Sequence, residues 1–324
     1  MIQLAPSPQK TYLNPAQPLR RLVVTSLEGN VAVVRICRRR AKQSLNPAVI
    51  YELHEAINWS VASDSVGAVV ITGEGSTFSS GADTRFFINS IQRGEFDRLL
   101  AFTAEGAECF RAISHCPKPV VAALNGSAIG GGLELALACH YRVATMGATL
   151  ALPETGLGLV PGWQGGLRAS ELLGFGLAKW LVYCGVMLPA RDALAIGLVD
   201  ELATPNNLLD TAKQAAFARM NTQRTLNAKH DIAEYFVGHS LQQLLTGQTR
   251  TPRPRELDGI EQVLATKSPF ALRMAERLFS MAERPTSSDN ELEVIDQVFR
   301  SHDALVGQTA LDRGERGPYP FQGR

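Results

Sequence analysis

The chain has 324 residues, of which 45% are hydrophobic and 19% are charged, and its formal net charge is +1. This is an ordinary globular composition with enough apolar residues for a sizeable core, and the near-neutral charge excludes a general attraction to nucleic acid or anionic membranes. The most apolar window, residues 119–139, contains polar residues and four glycines, so it is a poor candidate for a membrane span. We therefore expect neither nucleic acid nor a membrane as a partner.

The first 21 residues are rich in proline and contain no apolar stretch of signal-peptide length, which predicts a loose N-terminal leader. The chain has five cysteines, an odd number without the spacing of metal ligands or of a disulfide framework. Most of them lie in apolar runs, as small buried thiols do. We therefore expect a reducing compartment, the cytoplasm, and no metal site.

Short strand-like runs alternate with helical patterns through the first two thirds of the chain. Strands are predicted at 30–36, 66–73, 118–126, 141–145, 149–153 and 197–204, and helices at 46–61 and 102–114. This alternation indicates an α/β fold. From residue 208 onwards the periodicity is helical, with helices predicted at 208–220, 231–245, 256–265, 269–283 and 290–305. The predicted organisation is a leader at 1–21, an α/β core at 22–207 and a helical C-terminal region at 208–324.

The stretch GSAIGGGLELALA, residues 126–138, places three consecutive glycines before a helix that carries Glu134 among apolar residues. Glycines at a helix N-terminus let backbone N–H groups approach a ligand closely, and two such groups aimed at one carbonyl oxygen form an oxyanion hole. A second glycine loop around Ala82 could supply the other N–H, and Glu154 follows a further strand. Taken singly, the glycines could serve packing and Glu134 could merely complement the helix dipole.

The combination of these segments resembles the crotonase (enoyl-CoA hydratase/isomerase) superfamily. The resemblance rests on ITGEGSTFSSGAD, KPVVAALNGSAIGGGLELALAC and LPETGLGLVPGWQGGLR, in that order and spacing. It covers residues 22–207 well and the C-terminal helices weakly. It implies a spiral of ββα units followed by a helical C-terminal region that completes the acyl pocket and the subunit contacts. It also implies assembly as a homotrimer or a hexamer.

The resemblance assigns roles to individual positions. The backbone N–H groups of Ala82 and Gly131 would bind the thioester carbonyl, and Glu134 and Glu154 would hold and activate one water. The segment RAKQSLNPAVIYEL, residues 40–53, resembles the coenzyme A loop, although the family usually has a proline and an asparagine there. The positions implied to bind coenzyme A or substrate are Ala41, Lys42, Ser44, Leu45, Phe78, Ser80, Ala82, Asp83, Gly130 and Gly131, with the arginines 38–40 near the phosphates.

The implied activity is hydration of an enoyl-CoA thioester, with coenzyme A as part of the substrate and no separate cofactor. The closest alternative is a 3-hydroxyisobutyryl-CoA hydrolase, but that subgroup has an acidic residue at the position of Gly162 and lacks a counterpart of Glu134. An isomerase needs only one of the two glutamates. A decarboxylase, a polyketide tailoring dehydratase and a non-catalytic member that binds coenzyme A or RNA also remain open.

Overall fold

The computed structural model describes residues 21–218, 231–284 and 290–324. The predicted leader up to residue 20 lies outside this part of the chain. The strands are β1 (Val23–Glu28), β2 (Val31–Ile36), β3 (Ala68–Gly73), β4 (Thr77–Ser79), β5 (Val120–Leu124), β6 (Ser127–Ile129), β7 (Tyr141–Thr145), β8 (Thr149–Ala151), β9 (Leu188–Pro189) and β10 (Glu201–Ala203).

Helices separate most of these strands and are the regular secondary structure that is described after residue 208. The helices of the first part are α1 (Pro47–Ala62), α2 (Thr84–Gln92), α3 (Phe96–Ser114), α4 (Gly131–Ala138), α5 (Gly165–Leu173), α6 (Phe175–Cys184) and α7 (Ala190–Ala195). Those of the second part are α8 (Leu208–Ala218), α9 (Asp231–Gly238), α10 (Leu241–Thr246), α11 (Ile260–Ala265), α12 (Pro269–Glu283), α13 (Glu291–Phe299) and α14 (His302–Asp312). Short 3-10 turns occur at Arg39–Ala41, Glu154–Leu157 and Arg255–Leu257. In the described part of the chain, no helix is long and apolar enough to cross a bilayer.

The strands form two sheets, one of six strands in the order β1-β2-β3-β5-β7-β10 and one of four in the order β4-β6-β8-β9. Strand pairs are parallel in both sheets except β1 with β2 and β8 with β9. Strands β3 and β5 are buried along their whole length, which agrees with their continuous apolar sequences. The prediction of an α/β fold with a helical C-terminal region is confirmed.

The four-stranded sheet determines which loops meet. Strands β4, β6 and β8 are parallel neighbours, so the loops that follow them leave from the same edge. These loops carry Ala82 after β4, Gly130 and Gly131 after β6, and Glu154 after β8. Three segments that are far apart in sequence therefore converge at one edge.

The core lies on both faces of the six-stranded sheet. Helix α8 covers one face, where its buried residues pack with those of β2, β3, β5 and β7. The sequence analysis placed α8 in the C-terminal region. In the structure this helix forms the layer on one face of the six-stranded sheet and so belongs to the α/β part. Helices α12 and α13 contribute Leu272, Phe279 and Ile295 to the main core on the other side.

Two of the predicted C-terminal helices are each divided into two. The predicted helix 231–245 is α9 and α10, because Ser240 and Gln243 form a capping box that begins a new helix. The predicted helix 290–305 is α13 followed by α14, which begins after Ser301, whose Oγ accepts a hydrogen bond from the backbone N–H of Ala304 at 3.1 Å. The apolar periodicity of the sequence continues across both breaks, so it does not reveal them. Each break occurs where a serine caps the N-terminus of a new helix.

Candidate active site

A cavity of about 620 Å³ opens at the edge of the four-stranded sheet where the three loops meet. Its lining includes Ala82 and Gly131 together with both glutamates, Glu134 and Glu154. The rest of the wall is mainly apolar and comes from α2, the segment after Glu154, and α13 and α14. The residues that sequence analysis selected for catalysis thus share one cavity.

The backbone N–H groups of Ala82 and Gly131 are neighbours in this cavity. Leu45 donates from its N–H to the carbonyl of Gly81 at 2.8 Å, and Asp83 donates to the carbonyl of Leu45 at 2.8 Å. In such a parallel bridge the N–H of the intervening residue, Ala82, points away from the partner strand. Gly131 is the first residue of α4, so its N–H has no intrahelical acceptor.

Neither of these N–H groups donates a hydrogen bond to any part of the chain that the structure describes. A Cβ atom built on Gly131 would lie 3.4 Å from the nitrogen of Ala82, which shows how close the two donors are. Two unpaired backbone donors side by side in a largely apolar cavity form a candidate oxyanion hole.

The glycine run before α4 is required by close contacts. Gly130 has φ +53°, and a Cβ atom there would lie 2.7 Å from Oε1 of Glu154. A Cβ on Gly131 would lie 2.4 Å from the ring of Trp163, and one on Gly132 would lie 2.4 Å from the carbonyl oxygen of Ser79. The run lets the start of α4 approach both the carboxylate of Glu154 and the neighbouring strand.

Glu134 is buried, with 2% of its surface exposed. Its Oε1 atom accepts hydrogen bonds from the backbone N–H groups of Trp163 at 2.8 Å and Gly165 at 2.9 Å. Burial raises the pKa of Glu134 to about 7, and the two N–H donors and the charge of Arg168 oppose part of that rise. The carboxylate is therefore fixed in position and titrates near neutral pH.

Glu154 has a different environment. Its Oε2 atom is buried and has no hydrogen-bond partner among the described residues. Burial, and secondly the negative charge of Glu134, raise the pKa of Glu154 well above its usual range. Since two buried like charges resist simultaneous ionisation, the pair holds one proton near neutral pH. The proton resides on Glu154, because Glu134 has the two N–H donors that stabilise a carboxylate.

The predicted coenzyme A loop lies directly beside the Ala82 segment. The backbone N–H of Ser80 donates to the carbonyl of Lys42 at 3.0 Å, and the hydroxyl of Ser80 lies 3.5 Å from the carbonyl of Ala41. Ser80 itself lines the cavity. Lys42 is exposed next to it, as are Arg39 and Arg40, so three cations stand at this side of the opening.

Four of the predicted binding residues have a structural role instead of a side chain facing the cavity. The side chains of Leu45 and Phe78 are fully buried in the hydrophobic core, so they support the loop from within. Ser44 and Asp83 hold Arg38, whose guanidinium lies 2.6 Å from the hydroxyl of Ser44 and 2.6 Å from a carboxylate oxygen of Asp83. These contacts hold Arg38 in position, and its expected location near the phosphates of coenzyme A stays a prediction.

Sequence analysis did not select Trp163, although it lay within the quoted motif PGWQGG. Its ring packs edge-on against Phe102 and Phe110 at 5.2 Å between centroids and lines the cavity, while its backbone N–H holds Glu134. Its Nε1 atom is buried without an acceptor in the described part of the chain. The sequence offered one signal for Trp163, an aromatic residue in a glycine-rich segment. Its role becomes visible only in the structure, where the ring packs against α3 and the backbone N–H binds Glu134.

Comparison with known proteins shows the family of the chain. The family model for enoyl-CoA hydratase/isomerase matches residues 26–248. The chain belongs to the enoyl-CoA hydratase/isomerase family. The short-chain-enoyl-CoA hydratase of Clostridium acetobutylicum is 39% identical over 197 residues, which are 60% of this chain and 73% of that protein. The crotonyl-CoA hydratase of Syntrophomonas wolfei is 37% identical over 197 residues, covering 60% of this chain and 74% of the relative.

Solved structures agree with this family in the fold. The carnitinyl-CoA dehydratase from Mycobacterium thermoresistibile superposes with a TM-score of 0.76 at 22% identity and covers 90% of each chain. This likeness confirms the crotonase fold that the motifs predicted.

Proposed function

We propose that the protein is an enoyl-CoA hydratase, which adds water across the 2,3 double bond of an enoyl-CoA thioester. The observation that carries the proposal is one cavity that holds the buried Glu134, the partly buried Glu154 and two backbone N–H groups without an acceptor among the described residues. The names of the two curated relatives point to the same reaction.

The N–H pair suits the charge that this reaction develops. When water attacks Cβ of the thioester, the electron pair of the double bond moves towards the carbonyl and forms an enolate. The N–H groups of Ala82 and Gly131 would bind that oxygen and stabilise its negative charge. The loss of one such donor costs about 10²–10³ in rate in comparable sites.

The two glutamates supply the two proton transfers. Glu134, the carboxylate, takes a proton from water as the new C–O bond forms at Cβ. Glu154, the carboxylic acid, gives its proton to Cα as the enolate collapses to the thioester. The proton that Glu134 has gained then passes to Glu154, which restores the starting state without net consumption of acid or base.

The wall of the cavity favours hydration over hydrolysis. The related hydrolase has an acidic residue at the position of Gly162, and this chain has none. A Cβ atom on Gly162 would meet nothing nearer than a methyl group of Thr103 at 3.7 Å. The site therefore has room for a side chain at this position, but it does not have the carboxylate of the hydrolase. An isomerase needs only one of the two glutamates for proton transfer, so the presence of both favours hydration.

The proposal includes no cofactor, because water addition changes no oxidation state and coenzyme A enters as part of the substrate. It also places the protein in the cytoplasm, as suits its free thiols, four of which are buried. Assembly as a homotrimer or a hexamer belongs to the proposal as well.

The test is product analysis with crotonyl-CoA in water labelled with oxygen-18. We expect 3-hydroxybutyryl-CoA that carries the label at Cβ, detected by mass spectrometry. Release of free coenzyme A from a 3-hydroxyacyl-CoA without hydration would instead identify a hydrolase. A shifted double bond without label would identify an isomerase.

A further inference from the structure

Lys267 lines the same cavity and has no role in the reaction described above. It lies between α11 and α12, and the next residue, Ser268, donates from its backbone N–H to the carbonyl of Thr155 at 2.9 Å. This bond fixes the lysine against the segment that follows Glu154. Its Nζ atom lies 3.6 Å from the positions that Cβ atoms on Gly156 and Gly185 would occupy.

The charge of Lys267 is not compensated within the described part of the chain. No salt bridge or hydrogen bond of its Nζ atom occurs among those residues, and the side chain is half-buried. Burial lowers the pKa of Lys267, and the one group that opposes this is the thiol of Cys184. Neither active-site glutamate forms a salt bridge with Lys267.

Gln308 supplies a second unpaired donor to the same wall. Its side chain is 1% exposed and lines the cavity, and its Nε2 atom is buried without an acceptor among the described residues. The preceding residue, Gly307, packs α14 directly on the carbonyl of Leu157. Lys267 and Gln308 therefore both line the cavity from segments that pack on one turn, Glu154–Leu157.

The order of the small sheet places this cation away from the coenzyme A loop. The loop lies beside Ala82, at the end of β4, whereas Gly185 precedes β9 and lies against Pro153, which follows β8. In the order β4-β6-β8-β9, two strand spacings separate β4 from β8, about 10 Å. A thioester held at Ala82 and Gly131 would extend its acyl end past Glu154 towards Lys267.

We propose that the acyl group hydrated by this protein ends in a carboxylate, which Lys267 and the Nε2 atom of Gln308 bind. The inference rests on the proposed function and specifies its substrate class. A carboxylate satisfies both observations at once, because it neutralises the lysine and accepts the amide hydrogen. A methyl-ended acyl group would leave a half-buried cation and a buried N–H without partners.

The experiment compares 2-enoyl-CoA thioesters of increasing length, each in a methyl-ended and a carboxylate-ended form. For the wild type we expect one length at which kcat/KM for the carboxylate-ended form is higher by at least about tenfold, which is the worth of a charge-assisted hydrogen bond. Lys267→Met keeps the side chain's length and removes its charge, so it should abolish this preference. Lys267→Arg should keep part of it, and Gln308→Met should reduce it several-fold.

Lys42→Met is the matched control, because that lysine lies on the coenzyme A side of the opening. It should lower kcat/KM for both forms equally and leave the preference unchanged. Two results would overturn the inference while leaving the proposed function intact. One is hydration of methyl-ended thioesters without a carboxylate preference at any length. The other is an equal loss for both forms in Lys267→Met, which would assign this lysine to the phosphates of coenzyme A. Failure to hydrate any thioester would overturn the proposed function itself.

Discussion

Glu134 and Glu154 are the same residue type in one cavity, but their partners make them chemically different. Glu134 accepts two backbone hydrogen bonds, whereas one buried oxygen of Glu154 has no donor in the part of the chain that the structure describes. Hydrogen bonds to the ionised form favour ionisation, so the proton they share belongs on Glu154. One glutamate is thereby prepared as a base and the other as an acid before substrate arrives.

This arrangement predicts an unusual dependence of stability on pH. The folded-state pKa of Glu134 is about 7, above the ordinary value of 4.5, so the folded protein binds more protons than the unfolded chain between these values. The stabilisation of the folded state by protonated Glu134 is fully present below pH 4.5 and is lost as the pH rises to about 7. For Glu134 alone the loss is on the order of 3 kcal/mol. Glu154 acts in the same direction.

Glu154→Gln should therefore stabilise the protein relative to wild type as pH rises, because wild-type Glu154 is protonated in the folded state and loses that proton on unfolding, whereas the amide has none to lose. We expect the difference in melting temperature between variant and wild type to increase from pH 5 to pH 8. Glu105→Gln, on the exposed face of α3, is the control and should show no such trend. A difference that stays constant with pH would show that Glu154 is not buried with a shared proton.

Gly130→Ala should lower kcat. Its φ of +53° disfavours any side chain, and the new Cβ would lie 2.7 Å from Oε1 of Glu154, displacing the acid. We expect a loss of at least about tenfold, since small displacements of a catalytic group are costly. Gly147→Ala is the control, because nothing lies within 4 Å of its Cβ position. Equal rates for the two variants would contradict the placement of Glu154 against Gly130.

At the scale of the elements, helix α3 is fitted to the floor of the cavity by one glycine. A Cβ atom on Gly106 would lie 2.2 Å from Nε1 of Trp163, whose backbone N–H holds Glu134. Helix α3 can approach so closely only because position 106 has no side chain. The helix thereby supports the residue that fixes the base.

Gly106→Ala should destabilise the protein, although alanine is the better helix former by about 1 kcal/mol. The clash with the indole should outweigh this propensity, with a net loss of about 1–3 kcal/mol measured by chemical denaturation. Gly238→Ala at the end of α9 is the matched control, because its Cβ position is open, and it should be neutral or slightly stabilising. A stabilised Gly106→Ala would contradict the close packing of α3 on Trp163.

Long elements with uniform patterns were predictable from the sequence. The strand at 141–145 and the helix at 269–283 occur with the predicted bounds. Strand β1 was not predicted, and strands β4, β6 and β9 were missed because runs of two or three residues are too short to show alternation.

The site was predictable only where a motif carried it. Glu134, Glu154, Ala82 and Gly131 stand in ordered motifs, and all four line the cavity. Lys267, in contrast, joins the cavity from a helical region more than a hundred residues further along the chain. No local pattern marks such a residue, because its position depends on how the C-terminal helices pack on the turn after Glu154.

At the scale of the whole molecule, the C-terminal helices close the cavity within one chain. Their apolar faces supply Leu272, Phe279, Ile295 and Phe299 to the main core, so packing within the chain already explains their amphipathic sequences. The outer surface of α1 is the better candidate for a contact between subunits. There Tyr51 is 67% exposed and Trp59 is 46% exposed.

We predict a homotrimer or a hexamer, to be checked by sedimentation at micromolar concentration. Tyr51→Ser combined with Trp59→Ser should weaken the assembly if α1 contributes to the contact between subunits. A stable monomer for the wild type would refute the prediction of assembly. An unchanged oligomer in the double variant would assign the contact to another surface.

The most direct test of the glutamate pair is the pH dependence of crotonyl-CoA hydration by wild type, Glu134→Gln and Glu154→Gln. For the wild type we predict a bell-shaped kcat profile, since acid protonates the base and alkali ionises the acid. Each variant should lose at least about a hundredfold in kcat while still binding acyl-CoA, because an amide keeps the shape but cannot exchange a proton. Near-wild-type turnover by either variant would contradict the assignment of that glutamate as a proton carrier.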